Sequence, residues 1–220
     1  MIRLAVFDLD GTLLDTKPDL MGAMNYALSR LGYKTITMEQ TRQYIGNGIK
    51  MFAKRAVSAS YETDTDDATA EKAVAFFKEY YAEHLVCETV PYNGIKELLR
   101  KLKEKGVRLA VLSNKYDTAA KYIIDYFFPD TFDVVLGEGA QCPRKPDPEG
   151  FYAICRELGI SPADAVMIGD SPADYKVSKN AGAQSVSVLW GYRSKEKLIE
   201  EGAKTLASDA SELYSILTRL

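Results

Sequence analysis

The second half of the chain alternates short, continuously apolar runs with segments of helical pattern. The apolar runs fall at residues 107–112, 132–136, 165–168 and 185–189, and apolar residues recur at helical spacing between them. Strands that are apolar on both faces are buried on both faces, and strands that alternate with helices pair in parallel. The pattern therefore predicts an α/β fold in which a parallel sheet carries helices on both faces.

Proline and glycine mark the ends of the helices in this half. Pro129 follows one helical pattern directly, and Gly159 and Gly182 stand at the ends of two others. A short strand is expected near Leu206. The predicted helices cover residues 117–128, 148–158, 172–181, 194–201 and 209–220.

The first half does not follow this alternation. Residues 4–7 form a strand pattern, but the next strand begins near Val107. A crossover between parallel strands needs only one helix, and residues 93–105 supply it, with Gly106 at its end. Residues 16–88 are therefore surplus to the sheet. We predict a core domain from residues 1–15 and 89–220.

The surplus segment reads as helical throughout. Its apolar residues recur at helical spacing in four stretches, and Thr37 to Gln40 resembles a capping box at the start of the second. The run from Ser60 to Asp67 is acidic and polar, as expected of a solvated loop between helices. We predict that residues 16–88 form an all-helical domain inserted after the first strand.

Charge and hydropathy exclude several classes of function. The net charge is −3, which disfavours a surface that grips nucleic-acid phosphates or an anionic membrane. No apolar run approaches the roughly 20 residues that span a bilayer. The apolar stretch at the N-terminus is too short for a signal peptide, so we expect a cytoplasmic protein.

The chain has one histidine, His84, and three widely spaced cysteines, Cys87, Cys142 and Cys155. A Ser-His-Asp site would have to use His84, and a histidine-rich metal site is excluded. A zinc site from all four residues is disfavoured, because zinc modules bring their ligands as close pairs and only His84 and Cys87 are close. Reduced cysteines and a packed or half-exposed histidine are expected instead.

Polar residues cluster directly after the predicted strands. These segments are 8–12, 113–115 and 169–174, and a later loop contains 144–148. Ligands of open parallel sheets bind at the carboxyl ends of the strands, so we expect these side chains to converge on one edge. Each segment also has a plainer interpretation: Asp-x-Asp is common in loops, and the other three could cap helices. Their joint occurrence in this order favours a site.

The residue types at this edge predict phosphate chemistry with a metal ion. Clustered carboxylates repel one another unless a cation compensates them, and Mg2+ takes carboxylates together with substrate phosphate. In the absence of a usable histidine or cysteine, Asp8 is the available nucleophile and can form an aspartyl-phosphate. Asp10, two residues later, can protonate the leaving oxygen and then activate water. Ser113 and Lys145 would hold the phosphoryl oxygens.

These motifs resemble those of the haloacid dehalogenase (HAD) superfamily. The matching stretches are Phe7 to Leu13, Ser113-Asn114, Lys145-Pro146 and Gly169 to Asp174, and the helical insertion falls where that family carries its C1 cap. The resemblance implies a Rossmann-like core. It also implies that Asp8 is the nucleophile and Asp10 the general acid/base. Mg2+ would be bound by the Asp8 carboxylate, the Asp10 backbone carbonyl and Asp170, with Asp174 supporting the metal. The phosphate would be bound by Thr12, Ser113, Asn114 and Lys145.

Within the superfamily, short stretches resemble the phosphoglycolate phosphatases. Residues 14–20 read Leu-Asp-Thr-Lys-Pro-Asp-Leu, and the Gly46-Asn47-Gly48 loop resembles their substrate-specificity loop, although it could also be a plain turn between helices. The dehalogenases lack an aspartate at the position of Asp10. A small phosphorylated metabolite is thus the expected substrate, with 2-phosphoglycolate first.

Other readings stay open at this point. Similar members act on pyrophosphate, pyridoxal phosphate, nucleotides or sugar phosphates. A non-catalytic phosphate-binding homologue is the rival from a different class, and the oligomeric state is open between monomer and dimer.

Overall fold

A computed structural model describes residues 2–46, 48–61, 65–139 and 142–220. The chain divides into two compact units: Thr16–Val90 forms one, and Met1–Asp15 with Pro91–Leu220 forms the other. The sequence analysis placed the boundaries between residues 15 and 16 and between residues 88 and 89, and that assignment of domains stays a prediction.

The larger unit is built on a parallel sheet that has six strands within the described residues, in the order β5-β4-β1-β6-β7-β8. Its neighbours are all parallel, as the continuous apolar runs predict. Short β2 and β3 form a separate two-stranded sheet that the sequence did not predict. The strands are β1 (Leu4–Phe7), β2 (Leu14–Asp15), β3 (Val90–Pro91), β4 (Arg108–Tyr116), β5 (Val134–Glu138), β6 (Ala165–Gly169), β7 (Gln184–Val188) and β8 (Leu206–Ala207).

Helices cover both faces of this sheet, which confirms the predicted α/β class. Leu4 and Val6 of β1 pack in one core cluster with Phe151 and Ile154. Right-handed crossovers place the helices Ile95–Glu104 and Asp117–Phe127 on one face of the sheet and the helices Glu149–Leu158 and Pro172–Ala181 on the other. The helices are α5 (Ile95–Glu104), α6 (Asp117–Phe127), α7 (Glu149–Leu158), α8 (Pro172–Ala181), α9 (Lys195–Glu200) and α10 (Ala210–Leu217), with a 3₁₀ turn at Pro162–Asp164.

Strand β1 lies at the point where the chain reverses its direction across the sheet. From β1 the chain proceeds through β4 to β5 on one side, and later from β6 through β7 to β8 on the other. Such a reversal opens a crevice beyond the carboxyl ends of the two central strands. Asp8 follows β1 and Asp170 follows β6, so both carboxylates lie at this crevice.

Strand β4 corrects one detail of the sequence analysis. Ser113, Asn114 and Lys115 were expected in a loop after the strand, but β4 continues through them to Tyr116. Its pairing with β5 is irregular between Leu112 and Tyr116. This irregularity allows three consecutive polar residues to remain in the strand while its ladder to β5 is interrupted.

The smaller unit is helical in its described residues, with α1 (Lys17–Arg30), α2 (Met38–Tyr44), α3 (Ile49–Tyr61) and α4 (Asp67–Tyr81). Its core contains Met24, Leu28, Phe52 and Phe77. Thr37 forms the predicted capping box with Gln40 at the start of α2, which gives the backbone N–H groups of these two residues a hydrogen-bond partner.

The end of the smaller unit is held by a buried carboxylate. Asp19 of α1 accepts hydrogen bonds from the backbone N–H groups of Glu88 and Thr89, both at 2.9 Å, and from the Thr89 hydroxyl at 2.7 Å. These bonds tie residues 88 and 89 to α1.

The histidine and the three cysteines differ in their burial. His84 is half-buried, and its ring stacks on Tyr80 at 3.8 Å between centroids. The cysteines are free, with Cys142 and Cys155 buried and Cys87 exposed. Among the described residues, no helix combines the length and apolar character needed to cross a membrane.

Candidate active site

Asp8 stands at the carboxyl end of β1 with one of its oxygens held. Its Oδ1 accepts a hydrogen bond from the backbone N–H of Leu9 at 2.7 Å and lies 2.9 Å from Nζ of Lys145. Its own N–H donates to the carbonyl of Ile168 at 2.8 Å, which ties it to β6. Within the described residues, Oδ2 accepts no hydrogen bond. The carboxylate is thus oriented by one oxygen and presents the other.

Lys145 lies at the centre of the site. It is only 5% exposed, and its Nζ also lies 2.6 Å from Oδ1 of Asp174 and 2.7 Å from the carbonyl of Leu112. Burial by itself lowers the pKa of a lysine, but the charges and hydrogen bonds of Asp174 and Asp8 outweigh it here and raise the pKa above its usual value. The ammonium therefore stays charged and satisfied.

Asn114 holds the backbone beneath that lysine. Its Oδ1 accepts from the N–H of Lys145 at 2.7 Å, and its Nδ2 donates to the carbonyl of the same residue at 3.2 Å. The side-chain amide thus pairs with both backbone groups of Lys145. This contact gives Asn114 an orienting task that the sequence did not predict, and phosphate binding by Asn114 stays a prediction.

Two further carboxylates complete the cluster at β6. Asp170 accepts the backbone N–H of Tyr192 on Oδ2 at 2.6 Å, while Oδ2 of Asp174 accepts the N–H and the hydroxyl of Ser171 at 3.0 and 2.6 Å. Ligand oxygens from Asp8, Asp170 and Asp174 lie within 4.8 Å of one another, and all three residues are buried. Such a set can hold a metal ion.

Burial and nearby negative charge make the carboxyl groups of Asp8 and Asp170 costly to ionise. Burial is the largest cause that raises the pKa of Asp8 to about 8; Asp174 and Asp170 add to it, and Lys145 opposes it. Burial followed by the charge of Asp174 raises the pKa of Asp170 to about 7. One ammonium does not offset three carboxylates, so the cluster is short of positive charge.

Asp10 belongs to the same edge but has a different neighbour. Lys115 lies with its Nζ 3.1 Å from Oδ1 and 3.3 Å from Oδ2 of Asp10. The side chain of Asp10 is 22% exposed and that of Lys115 is 6% exposed. The ion pair therefore lies at the border between the buried cluster and solvent.

Two hydroxyl groups predicted to bind phosphate are also buried here. Ser113 accepts the N–H of Lys115 on Oγ at 3.2 Å, which leaves its own hydroxyl proton free to donate. Thr12 is fully buried, and within the described residues its Oγ1 has no hydrogen-bond partner. A buried hydroxyl without a partner is uncommon, so Thr12 is a donor ready for a ligand.

The loop after β7 completes the site, and the sequence analysis missed it. Trp190 donates from Nε1 to the carbonyl of Thr12 at 3.1 Å, and Tyr192 holds Asp170 as described. A Cβ on Gly191 would lie 2.2 Å from Cβ of Asp170, and one on Gly11 would lie 2.5 Å from its Oδ2. The available signal was a Trp-Gly-Tyr sequence directly after a predicted strand, where the same rule of strand ends applies.

The Gly46-Asn47-Gly48 loop belongs to the smaller unit. Gly46 and Gly48 have φ angles of 112° and 83°, which favour glycine. Asn47 lies outside the described residues. The role of this loop in substrate binding stays a prediction.

With the geometry established, comparison with known proteins decides the family. Residues 5–188 match the family model of the haloacid dehalogenase-like hydrolases. The chain belongs to this family. A phosphoglycolate phosphatase of Pseudomonas putida is 33% identical over 213 residues, which cover 96% of this chain and 78% of the relative.

Solved structures agree with this membership. A Lactobacillus delbrueckii protein, whose assignment as a phosphoglycolate phosphatase is itself a prediction, has a TM-score of 0.93 at 33% identity and covers 99% of both chains. CbbY from Rhodobacter sphaeroides, in complex with xylulose 1,5-bisphosphate, has a TM-score of 0.74 at 25% identity and covers 97% of this chain and 96% of its own. The family and these relatives make the chain a phosphatase, as the sequence predicted.

Proposed function

We propose that the chain hydrolyses the phosphomonoester of a small metabolite through a covalent intermediate on Asp8, with Mg2+ as cofactor. The observation that carries the proposal is the state of the Asp8 carboxylate. Oδ1 is fixed by Leu9 and Lys145, while Oδ2 accepts no hydrogen bond from the described residues. A carboxylate held by one oxygen and presenting the other is arranged to act as a nucleophile.

The reaction has two steps. In the first, Oδ2 of Asp8 attacks phosphorus, the bond from phosphorus to the ester oxygen breaks, and Asp10 donates a proton to the departing alcohol. In the second, Asp10 accepts a proton from water, the water oxygen attacks phosphorus, and the bond to Asp8 breaks. Inorganic phosphate leaves and the free carboxylate of Asp8 returns.

The phosphoryl oxygens would be held by Lys145, Ser113 and Thr12. The ammonium of Lys145 supplies charge beside the attacking oxygen, and the two hydroxyl groups have protons that the described residues leave available. Donors fixed before substrate arrives stabilise the charge that develops during transfer without having to reorganise. Asn114 contributes by holding the backbone of Lys145.

The residues present fit a divalent cation. Three buried carboxylates share one ammonium, and Oδ1 of Asp170 accepts no hydrogen bond within the described residues. Asp8, Asp170 and the carbonyl of Asp10 would hold Mg2+, and Asp174, whose oxygens already accept from Lys145 and Ser171, would support the site. When bound, the ion would neutralise carboxylate charge and polarise a phosphoryl oxygen.

The leading substrate is 2-phosphoglycolate. Support comes from the phosphoglycolate phosphatases of about 30–35% identity and from the stretches at residues 14–20 and 44–48 that resemble them. Sugar phosphates are the second candidate, because CbbY has the same fold and binds a sugar bisphosphate. A cytoplasmic location stays a prediction, as does the oligomeric state.

A panel of phosphate esters with purified protein tests the proposal. With Mg2+, we expect hydrolysis of para-nitrophenyl phosphate and a higher kcat/KM for 2-phosphoglycolate than for pyrophosphate, pyridoxal phosphate, nucleotides and sugar phosphates. Asp8→Asn should remove turnover, because an amide cannot form the acyl phosphate. Asp8→Asn protein that keeps a tenth of the wild-type activity would exclude the covalent route.

A further inference from the structure

A buried lysine outside the four family motifs contacts the proposed acid/base residue. Lys115 is the third polar residue of β4 after Leu112, and its side chain is 6% exposed. Its Nζ lies 3.1 and 3.3 Å from the two oxygens of Asp10, which follows β1. β1 and β4 are adjacent strands, so the contact joins two neighbouring carboxyl ends.

The backbone of Lys115 is itself fixed. Its N–H donates to Oγ of Ser113 at 3.2 Å, and a Cβ on Gly137 of β5 would lie 2.6 Å from its carbonyl oxygen. The lysine stands in the part of β4 between Leu112 and Tyr116 where the pairing with β5 is irregular. The ammonium therefore reaches Asp10 from an anchored base rather than from a mobile loop.

The contact bears on the orientation of the Asp10 carboxylate. Asp10 is 22% exposed, and an aspartate on a partly open edge can rotate about two bonds. An ammonium near both oxygens favours one orientation of the carboxylate plane. Each carboxylate oxygen has two lone pairs, so the contact with Lys115 does not by itself use up the acceptor capacity of either oxygen.

We propose that Lys115 is a positioning residue that orients the Asp10 carboxylate for proton transfer. This inference rests on the proposed function, because it concerns the acid/base step of the same site. Errors of about 1 Å in the placement of a catalytic group can cost on the order of 100-fold in rate. Lys115→Met, which keeps the length of the stem and removes the ammonium, should lower kcat/KM by about 10- to 100-fold.

The alternative is an ion pair that only stabilises the fold. A double-mutant cycle with Asp10→Asn separates the two, because a residue that acts through Asp10 has nothing to orient once Asp10 is replaced. Lys115→Met should then cost less than about threefold in the Asp10→Asn background. Lys176→Met is the matched control, since Lys176 forms an exposed ion pair with Glu201 at 2.7 Å in the same unit.

The choice of ester gives a second readout that a structural role would not move. The ratio kcat/KM reports the steps up to transfer onto Asp8, in which a poor leaving group needs a proton and a good one does not. The loss in Lys115→Met should therefore be at least about fivefold larger for phenyl phosphate than for para-nitrophenyl phosphate. Lys115→Arg should also lose more kcat/KM for phenyl phosphate than for para-nitrophenyl phosphate, and both losses should be smaller than in Lys115→Met. If Lys115→Met does not fold, Lys115→Arg provides the test.

The outcomes are distinct. A wild-type protein that hydrolyses neither ester overturns the proposed function and this inference together. An active wild type with losses that are additive in the cycle, or equal for both esters, overturns the inference alone. Losses that vanish in the Asp10→Asn background and grow with leaving-group basicity establish Lys115 as the positioning residue.

Discussion

Replacing Asp8 by Asn should stabilise the metal-free protein, and the gain should grow with pH. Asparagine has the shape of a protonated aspartate, and its carbonyl oxygen can still accept from Leu9 and Lys145. The pKa of Asp8 is about 8 in the folded protein against 3.8 for the ordinary side chain. Between these values the folded state holds a proton that the unfolded chain has lost. Wild-type stability must therefore fall as pH rises through this window, while the variant lacks that dependence.

The size of the effect follows from the same linkage. One extra bound proton corresponds to about 1.4 kcal/mol of unfolding free energy per pH unit. From about pH 5.5 to about pH 7.5, the advantage of Asp8→Asn should grow by up to about 2.7 kcal/mol. For a chain of this length that is about 5–10 °C in Tm. Asp170, whose pKa is also raised, titrates in both proteins and adds to the fall in each.

Thermal unfolding in EDTA at a series of pH values provides the measurement. Asp125→Asn is the matched control, because Asp125 is an exposed aspartate of α6 and its replacement removes the same formal charge. Its Tm should follow the wild type at every pH. A difference between Asp8→Asn and wild type that is constant across the range, or that shrinks as pH rises, would refute the assignment of a raised pKa to Asp8.

Three further predictions concern Mg2+ binding, Gly11 and the helical insertion. Mg2+ at 100 times its Kd should add about 2.7 kcal/mol to the free energy of unfolding of the wild type and so raise its Tm. The rise in Tm should be smaller for Asp8→Asn, and a wild-type Tm that does not respond to Mg2+ would contradict the proposed ligands. Gly11→Ala should lower the free energy of unfolding in urea by about 1–3 kcal/mol, which is more than Gly106→Ala should lower it. Both glycines have a positive φ, but only at Gly11 would a Cβ meet another residue, Asp170. Asn47→Ala should change kcat/KM for 2-phosphoglycolate more than for para-nitrophenyl phosphate, and equal losses would assign the loop a structural role.

The residues of the charged cluster could be predicted because one rule places them. Parallel strands bring their carboxyl ends to one edge, so Asp8 after β1 and Asp170 after β6 had to be close once the strands were recognised. Lys145 was predicted to lie at this site from its residue type and motif, and the structure gives it three acceptors there.

Other contacts could not be predicted because they depend on local geometry. Whether Asn114 or Lys115 turns toward the acids depends on the irregular pairing of β4 with β5, which has no sequence signature. The clamp of Asn114 on the backbone of Lys145 joins residues 31 apart, and the bond of Trp190 to Thr12 joins residues 178 apart. Periodicity and capping rules describe neighbours in sequence, so they do not reach such pairs.

The charges of the site indicate what must be present before a phosphate can enter. Asp8, Asp170 and Asp174 bring three negative charges when ionised, and Lys145 returns one positive charge, while Lys115 neutralises Asp10 whenever Asp10 has lost its proton. Two negative charges remain in a buried pocket, and a phosphate ester would meet repulsion there. A divalent cation cancels this excess, whereas a single additional lysine would not. Burial, together with the charges of Asp174 and Asp170, raises the pKa of Asp8, so a cation that offsets these charges also favours ionisation of the nucleophile.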